Sequence, residues 1–319
     1  MYTYIYICKL IIPLMSSFLK KTIIFGLIVL GLYSFIYAIG INSKYEPNDY
    51  IDAIIDKHKR VKSIKGKQLL LIAGSNIAFG IDSKIISDSI HLPVTNMGLA
   101  AGLGVDFILN EAKDLLKPND IAVLSIECLG SLEGDYLSKY KAKKALSYTG
   151  NYFKADYNAE LIIDNYLIRN RLIHLKDAGT SNKNTVYGRK YFNEYGDLTS
   201  HKSKPHSSNL MLPPAQNTDK LEIIAAINEF TQYCKAHNIS VFYTYPSIAK
   251  SAYTKYAKLI DNFSAHLNKI ENLEILDTLA ESVKPDSLFF DSIFHLMYGE
   301  RDERSKLIGH HLKNTLKSR

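Results

Sequence analysis

The chain has 319 residues, of which 46% are hydrophobic and 22% charged. Such a chain buries one substantial core, and its length allows one large domain or two small ones. The formal net charge of +7 comes from scattered lysines without a long basic stripe between aromatic residues, so we expect no nucleic-acid partner. Three cysteines do not make a disulfide framework, and no cysteine and histidine spacing indicates a metal site.

An uncharged apolar segment lies near the N-terminus. Residues 22–41 carry no charge over about the twenty positions that a helix needs to cross a bilayer. Lys20 and Lys21 precede this segment, whereas the residues after it include Lys44 but also Glu46, Asp49 and Asp52. The lysine bias predicts a single-pass protein of the cytoplasmic membrane, with residues 1–21 as a cytoplasmic leader and the rest outside.

A cleaved signal peptide is the rival interpretation of this segment. Ala38-Ile39-Gly40 has the small-x-small pattern of a cleavage site, but the apolar run exceeds the usual length of about 7 to 15 residues. We therefore favour an uncleaved anchor. Met15 is an alternative start, since it stands just before a short leader that contains Lys20 and Lys21.

Apolar runs and helical patterns alternate after a polar segment, residues 42–67, which we interpret as a stalk. The pattern predicts strands over residues 68–73, 93–96, 120–126, 239–245 and 273–276. It predicts helices over residues 82–90, 103–116, 132–146, 218–237, 248–267 and 299–316, the first of them capped by Asp82. Alternating strands and helices indicate an α/β domain over residues 68–319 with a doubly wound parallel sheet.

A long insertion, residues 147–216, interrupts the alternation. It is rich in tyrosine, asparagine, lysine and serine and shows no clear period. Its aromatic residues suit either a sugar-binding surface or a small helical cap packed on the sheet. The aromatic residues in question are Tyr148, Tyr152, Phe153, Tyr157 and Tyr166.

Polar residues and glycines follow the predicted strands. Ligands of doubly wound sheets bind beyond the carboxyl ends of the strands, so these residues are the candidates for a site. The first strand leads into Ser75 and Asn76. The later candidates are Asn96, Gly98 and Gly102 after the second strand and Glu127 after the third.

An acid and an imidazole, Asp291 and His295, precede the last helix. A histidine held by an aspartate is the usual base for activating a hydroxyl group. Each candidate also has a structural interpretation, since short polar residues satisfy backbone groups at strand ends and glycines permit tight turns. Both interpretations stay open at this point.

Three pieces of the sequence resemble the SGNH or GDSL-like hydrolase superfamily, and more closely its membrane-anchored branch associated with bacterial surface polysaccharide genes. The pieces are residues 74–82, 94–98 and 290–296. The resemblance implies a flavodoxin-like three-layer fold and ester hydrolysis or acyl transfer through a serine. It implies no cofactor and no metal.

The resemblance also implies roles for individual residues. Asp291 and His295 would be the acid and the base, and the oxyanion donors would come from the three candidates that follow the second strand, namely Asn96, Gly98 and Gly102. Counting back from Gly80 puts Asn76 at the position of the nucleophile, with Ser75 one place earlier. The asparagine that usually donates to the oxyanion in this family is absent, and Glu127 lies nearby in that region, where an ionised carboxylate would only accept hydrogen bonds.

Three functions remain as hypotheses. The favoured one is an acyl esterase or O-acyltransferase that acts on acyl groups such as acetyl on a cell-surface glycan, with Ser75 as nucleophile. The alternative, which Asn76 favours, is a catalytically inactive glycan-binding or assembly protein with the same fold. The third is a structural membrane partner of polysaccharide-synthesis proteins.

Overall fold

The structure is a computed structural model that describes residues 17–35, 49–156, 158–160, 162, 186–212 and 220–317. The chain divides into two compact units, residues 1–46 with 157–183 and residues 47–156 with 184–319. In the first unit, helix α1 (Ser17–Phe35) is long and apolar enough to cross a membrane. It overlaps the predicted segment 22–41, whose residues 36–41 lie outside the described residues.

The second unit is built on a parallel sheet. Its strands are β1 (Leu69–Ile72), β2 (Val94–Asn96), β3 (Ile121–Leu124), β4 (Ser240–Tyr243) and β6 (Glu274–Ile275). They pair in the order β2-β1-β3-β4-β6, every pair parallel, with Leu69 opposite both Val94 and Ile121. This is the order of a doubly wound flavodoxin-like sheet, in which the chain reverses direction across the sheet between β1 and β3. A second pair, β5 (Ile248–Ala249) with β7 (Val283–Lys284), is also parallel.

Helices cover both faces of the sheet. They are α2 (Ile54–Ser63), α3 (Ser75–Gly80), α4 (Ser83–Ile90), α5 (Val105–Leu115), α6 (Tyr136–Ala145), α7 (Leu221–Ala236), α8 (Lys250–Leu267), α9 (Leu279–Ser282) and α10 (Tyr298–Lys317). Short 3-10 helices span Ile51–Ala53, Ala101–Leu103, Ser147–Tyr152, Arg189–Tyr191 and Asp286–Leu288. The sequence pattern predicted all five strands of the main sheet and the six long helices from α4 onward, within a few residues at each end.

Alternate residues of β1 divide the core into two parts. Leu70 and Ile72 pack in a cluster with apolar residues of α2, α5, α7 and α8. Leu69 and Leu71 pack in a second cluster with residues of α4 and α10. A strand buried on both faces reads as a continuous apolar run, which is why this strand is visible in the sequence. The α/β class with a central parallel sheet between two helical layers is confirmed.

The prediction of a polar stalk over residues 42–67 is wrong from residue 49 onward. Helix α2 lies within that segment and packs in the core through Ile54 and Val61. Lys57 and His58 are polar in the sequence but buried in the structure. The Lys57 ammonium group donates to the carbonyls of Asn96 and Gly196, so its polar end has hydrogen-bond partners inside the domain. The polar residues of this segment therefore belong to an amphipathic helix.

The described part of the insertion packs on the domain. Tyr152 is buried and its hydroxyl donates to Asp114 at 2.7 Å, while Tyr148 contacts His58 and Phe153 packs against the core. These three aromatic residues therefore act as packing residues, as the predicted cap would have them. Tyr157 and Tyr166 lie outside the described residues. Asp82 caps α4 as predicted, since its carboxylate accepts from the backbone N–H groups of Lys84 and Ile85.

Candidate active site

Ser75 stands at the first position of α3, directly beyond the carboxyl end of β1. Gly74 separates the strand from the helix, and a Cβ atom at Gly74 would lie 3.1 Å from the Cα of Ala101. A side chain here would press on the loop that follows β2, so the glycine eases the close approach of the two backbones. The short turn places the Ser75 side chain at the sheet edge where doubly wound domains bind ligands.

A closed loop before α10 positions Asp291 and His295. The backbone N–H of Phe290 donates to the carbonyl of His295 at 2.7 Å, and Phe289 bridges Leu296 in an antiparallel pair. The loop therefore brings the two side chains, four positions apart, to the same side. The His295 ring stacks on the Phe79 ring with centroids 3.9 Å apart and planes within 1°, which fixes the orientation of the imidazole.

Four side chains form a continuous chain of hydrogen bonds, which we call the serine line. Ser75 Oγ lies 2.8 Å from His295 Nε2, and His295 Nδ1 lies 2.7 Å from Asp291 Oδ1. The hydroxyl of Tyr187 donates to the other carboxylate oxygen, Asp291 Oδ2, at 2.6 Å. With its proton on Nδ1, the neutral imidazole accepts from the serine hydroxyl, which is the arrangement that activates a nucleophile.

Asp291 is held as a carboxylate by its two partners. Burial raises the pKa of Asp291, but the hydrogen bonds from His295 and Tyr187 outweigh that effect, so its pKa lies below the ordinary value. An ionised aspartate fixes the histidine tautomer and stabilises the imidazolium that forms when the ring takes a proton.

Asn76 belongs to a different set of contacts, which we call the amide network. Its Nδ2 donates to the carbonyl of Ser125 and to Glu127 Oε1, both at 2.9 Å, and its Oδ1 accepts from Ser125 Oγ at 3.1 Å. Arg304 Nη2 donates to the same Ser125 hydroxyl at 3.0 Å. Asn76 is fully buried and its amide bonds to Ser125 and Glu127, so it stabilises the floor of the site.

Two groups of the amide network have shifted pKa values because they are buried. Burial raises the pKa of Glu127, and the hydrogen bond from Asn76 offsets this only in part. Burial also lowers the pKa of the Arg304 guanidinium to about 10, which leaves it charged at neutral pH. Glu127 Oε1 accepts a hydrogen bond from Asn76 Nδ2, whereas the asparagine that the resemblance would place after β3 would donate one.

The structure does not support Asn96 and Gly98 as oxyanion donors. The backbone N–H of Gly98 donates to Asn96 Oδ1 at 2.9 Å, and Asn96 Nδ2 donates to the carbonyl of Ile77 and to Asp197. A Cβ atom at Gly98 would lie 2.3 Å from Ile77 Cγ1, so this glycine permits close packing under α3. Both predictions fail because the polar groups are already used within the fold.

Gly102 is the predicted oxyanion donor that does line the site. It belongs to a cleft of about 490 Å³ that contains Ser75, Glu127 and His295 in its wall. The other wall residues are Tyr50, Ala100, Ala101, Leu129, Gly130, Tyr187, Met211, Leu212, Ser292 and Phe294. Ala101 and Gly102 share this wall with Ser75, so the backbone N–H groups of their loop and of the first turn of α3 are the candidates for oxyanion donors.

The sequence pattern does not indicate the residues that the insertion contributes to the cleft. Tyr187, Met211 and Leu212 come from the insertion, whose lack of periodicity gave no signal for them. The backbone N–H of Met211 donates to the carbonyl of Asp291 at 2.8 Å, and Ser207 N–H donates to the carbonyl of Phe290. Residues 186–212 therefore support the loop that carries Asp291, a contact between distant segments that no local pattern shows.

No family model matches the sequence, and no curated protein matches it. A search of solved structures finds an acetyl xylan esterase, Est2A, from the rumen bacterium Butyrivibrio proteoclasticus, with 13% sequence identity and a TM-score of 0.32. The match covers 80% of this chain and 65% of that chain, so it spans less than two thirds of the length of the esterase.

Proposed function

We propose that this protein is an acyl esterase or O-acyltransferase that acts on a cell-surface glycan from the outer side of the cytoplasmic membrane. One observation carries the proposal, namely the unbroken line from Ser75 Oγ through His295 to Asp291, with distances of 2.8 Å and 2.7 Å. The nucleophile, the base and the orienting acid of acyl transfer are in hydrogen-bond contact. That geometry favours catalysis over the inactive binding protein that Asn76 suggested.

The reaction follows from these contacts. Ser75 Oγ attacks the ester carbonyl carbon while His295 Nε2 takes the hydroxyl proton, and Asp291 stabilises the imidazolium. The oxyanion accepts hydrogen bonds from backbone N–H groups near Ser75 and Gly102. Collapse breaks the bond to the alcohol, which leaves with the proton from His295, and the acyl group stays on Ser75. Water releases the acyl group in hydrolysis, and an acceptor hydroxyl takes it in transfer.

The assignment to a cell-surface glycan rests on the sequence. The apolar helix α1 has the length of an anchor, and the lysines before it favour a cytoplasmic N-terminus. A glycan at the cell surface presents esterified hydroxyl groups on the side of the membrane where the domain would lie. Membrane anchoring, orientation and glycan are parts of the proposal that can fail independently of the chemistry.

A membrane-impermeant fluorophosphonate probe tests the proposal on intact cells that express the full chain. We expect labelling of a band in the membrane fraction, its loss in Ser75→Ala, and a drop in kcat of at least about 10⁴-fold toward an aryl acetate. Ser292→Ala is the matched control, since Ser292 is a second hydroxyl in the wall of the same cleft. It should keep the labelling.

Each other outcome contradicts a different part of the proposal. Labelling that appears only after cell lysis would contradict the outward orientation. Labelling that survives Ser75→Ala but disappears in Ser292→Ala would move the nucleophile. A folded protein that resists the probe and cleaves no ester would leave the glycan-binding alternative.

A further inference from the structure

The wall of the cleft beside Ser75 is apolar. Among the described residues of this wall, the ionisable side chains are Glu127, His295 and two tyrosines. The described wall residues include no lysine, arginine, asparagine, glutamine or aspartate. Sugar hydroxyls need such donors and acceptors, because a buried hydroxyl without a partner costs free energy. The cleft therefore suits a hydrocarbon group better than a sugar.

The two tyrosines of the wall do not change this character. The hydroxyl of Tyr50 donates to the carbonyl of Leu99 at 2.9 Å, and that of Tyr187 donates to Asp291. Both phenol protons are thus engaged outside the cleft. The carbon rings, which pack edge to face with centroids 5.4 Å apart, are what these residues add to the wall.

Exposed apolar side chains concentrate at this cleft. Among the described residues of the second unit, the large hydrophobic side chains that are exposed are Tyr187, Met211, Leu212 and Leu221, and the first three of them line the cleft. Met211 is 53% exposed and Leu212 is 47% exposed. Exposed apolar side chains beside a nucleophile indicate a binding surface that a ligand would cover.

The cleft is also much larger than an acetyl group. Its volume of about 490 Å³ compares with about 30 Å³ for one water-sized group in a liquid. An acetyl methyl group would leave most of this wall in contact with water. A linear chain of several carbons would cover it and would keep its carbonyl carbon at Ser75.

We infer that this cleft is the subsite for the acyl group, and that the substrate is an ester of a linear aliphatic chain of several carbons rather than an acetate. The inference rests on the proposed function, since it assumes that Ser75 receives the acyl group. The chain lies against Leu129, Phe294, Met211 and Leu212, and the alcohol leaves toward solvent. Met211 and Leu212 are then the residues that set the preferred chain length.

The test is a series of p-nitrophenyl esters from acetate to octanoate, hydrolysed by the full-length protein in lipid nanodiscs. Complete burial of a methylene group corresponds to about a fourfold gain. Because the cleft is open on one side, we expect kcat/KM for octanoate to exceed that for acetate by at least tenfold. In the double variant Met211→Ser with Leu212→Ser, this ratio should fall at least tenfold. Leu221→Ser, an exposed leucine outside the cleft, is the matched control and should keep the wild-type ratio.

A binding measurement removes dependence on turnover. Ser75→Ala protein should bind octanoate more tightly than acetate by calorimetry, and the two serine substitutions at 211 and 212 should abolish the difference. Equal or faster cleavage of acetate, or a ratio that the double variant leaves unchanged, would overturn the inference while the esterase proposal stands. Failure to cleave any ester in the series, together with no reaction with the fluorophosphonate probe, would instead overturn the proposed function.

Discussion

Ser75 and Asn76 are neighbours in the chain, yet their side chains belong to two different hydrogen-bond networks. The Ser75 side chain lies in the wall of the cleft, whereas the Asn76 side chain is fully buried. The serine line runs from Ser75 through His295 and Asp291 to Tyr187, and its Ser75 hydroxyl lies in the wall of the cleft, where a substrate can reach it. The amide network runs from Asn76 to Ser125 and Glu127 and lies beneath α3. One step along the first turn of a helix changes the direction of a side chain by about 100°. The direction of the side chain therefore decides which of two adjacent polar residues can act.

Ser75 is the proposed nucleophile, although counting back from Gly80 points to Asn76. The count places position 76 at the catalytic register, but the turn at Gly74 begins the helix early enough for position 75 to face the cleft. The residue at position 76 is then free to satisfy buried carbonyl and carboxylate oxygens, which an amide does well. A serine there would lie in the floor of the site.

The largest effect should come from moving the serine to the counted position. In the double variant Ser75→Ala with Asn76→Ser, we expect kcat to stay at least about 10⁴-fold below the wild type, because the new hydroxyl faces Ser125 and Glu127 instead of His295. Hydrolysis of aryl esters and labelling by a fluorophosphonate probe provide the measurement. Asn76→Ser alone is the control and should keep the labelling of Ser75. Recovery of labelling in the double variant would show that position 76 can reach the base.

The fold could be predicted from this sequence because its signals are local. The all-apolar β1, the acid cap at Asp82 and the alternation of strands and helices each follow from a short window of residues. Asp291 and His295 were predictable for the same reason, since their spacing lies within one loop. Ser75 lies more than two hundred positions away from these two residues. Their approach was predictable only because the carboxyl ends of parallel strands lie at one edge of the sheet.

The remaining features depend on contacts between distant segments. The sequence predicts Asn96 and Gly98 as oxyanion donors, because it does not show their partners. In the structure Asn96 donates to Ile77 and Asp197, and Gly98 donates to Asn96. The segment that contains α2 was interpreted as a stalk because it is polar. The carbonyls that accept from Lys57 lie 39 and 139 positions away, so a local pattern does not reveal that this lysine is buried. Tyr187 gave no signal at all, because a tyrosine in an aperiodic insertion looks the same whether or not it meets a carboxylate.

Tyr187 offers a smaller change at the far end of the serine line. A hydrogen bond to a charged group contributes about 1.5 to 3 kcal/mol when it is buried, and solvent reduces this because Tyr187 is 41% exposed. We expect Tyr187→Phe to lower kcat about fivefold to tenfold and to change KM for an aryl acetate little, because Asp291 loses one of the two bonds that orient it. Tyr253→Phe is the matched control, since Tyr253 donates to Asp261 at 2.9 Å on the exposed side of α8. A drop in kcat of equal size in both variants would remove the positioning role.

Glu127 provides the smallest effect and tests the amide network by its response to pH. Burial raises the pKa of Glu127 above the ordinary value of 4.5, so the folded protein binds this proton more tightly than the unfolded chain does. The free energy of unfolding therefore falls as the pH rises from the ordinary value through the raised one. Glutamine keeps the acceptor for Asn76 and carries no charge, so Glu127→Gln should lack this decline.

The expected result is a melting temperature of Glu127→Gln that exceeds that of the wild type at pH 7.5, with a difference that disappears toward pH 4. Glu281→Gln serves as the control of opposite sign. The pKa of Glu281 lies below its ordinary value because its carboxylate caps α9 through Thr278, so this variant should lose stability at neutral pH and approach the wild type in acid. Thermal unfolding followed by circular dichroism at four pH values measures both differences. If the Glu127→Gln difference were the same at every pH, Glu127 would bind its proton equally in the folded and unfolded states. Burial would then not disfavour the charged form of Glu127. The amide network and the serine line, which holds Asp291 as a carboxylate, would not differ in how they treat a negative charge.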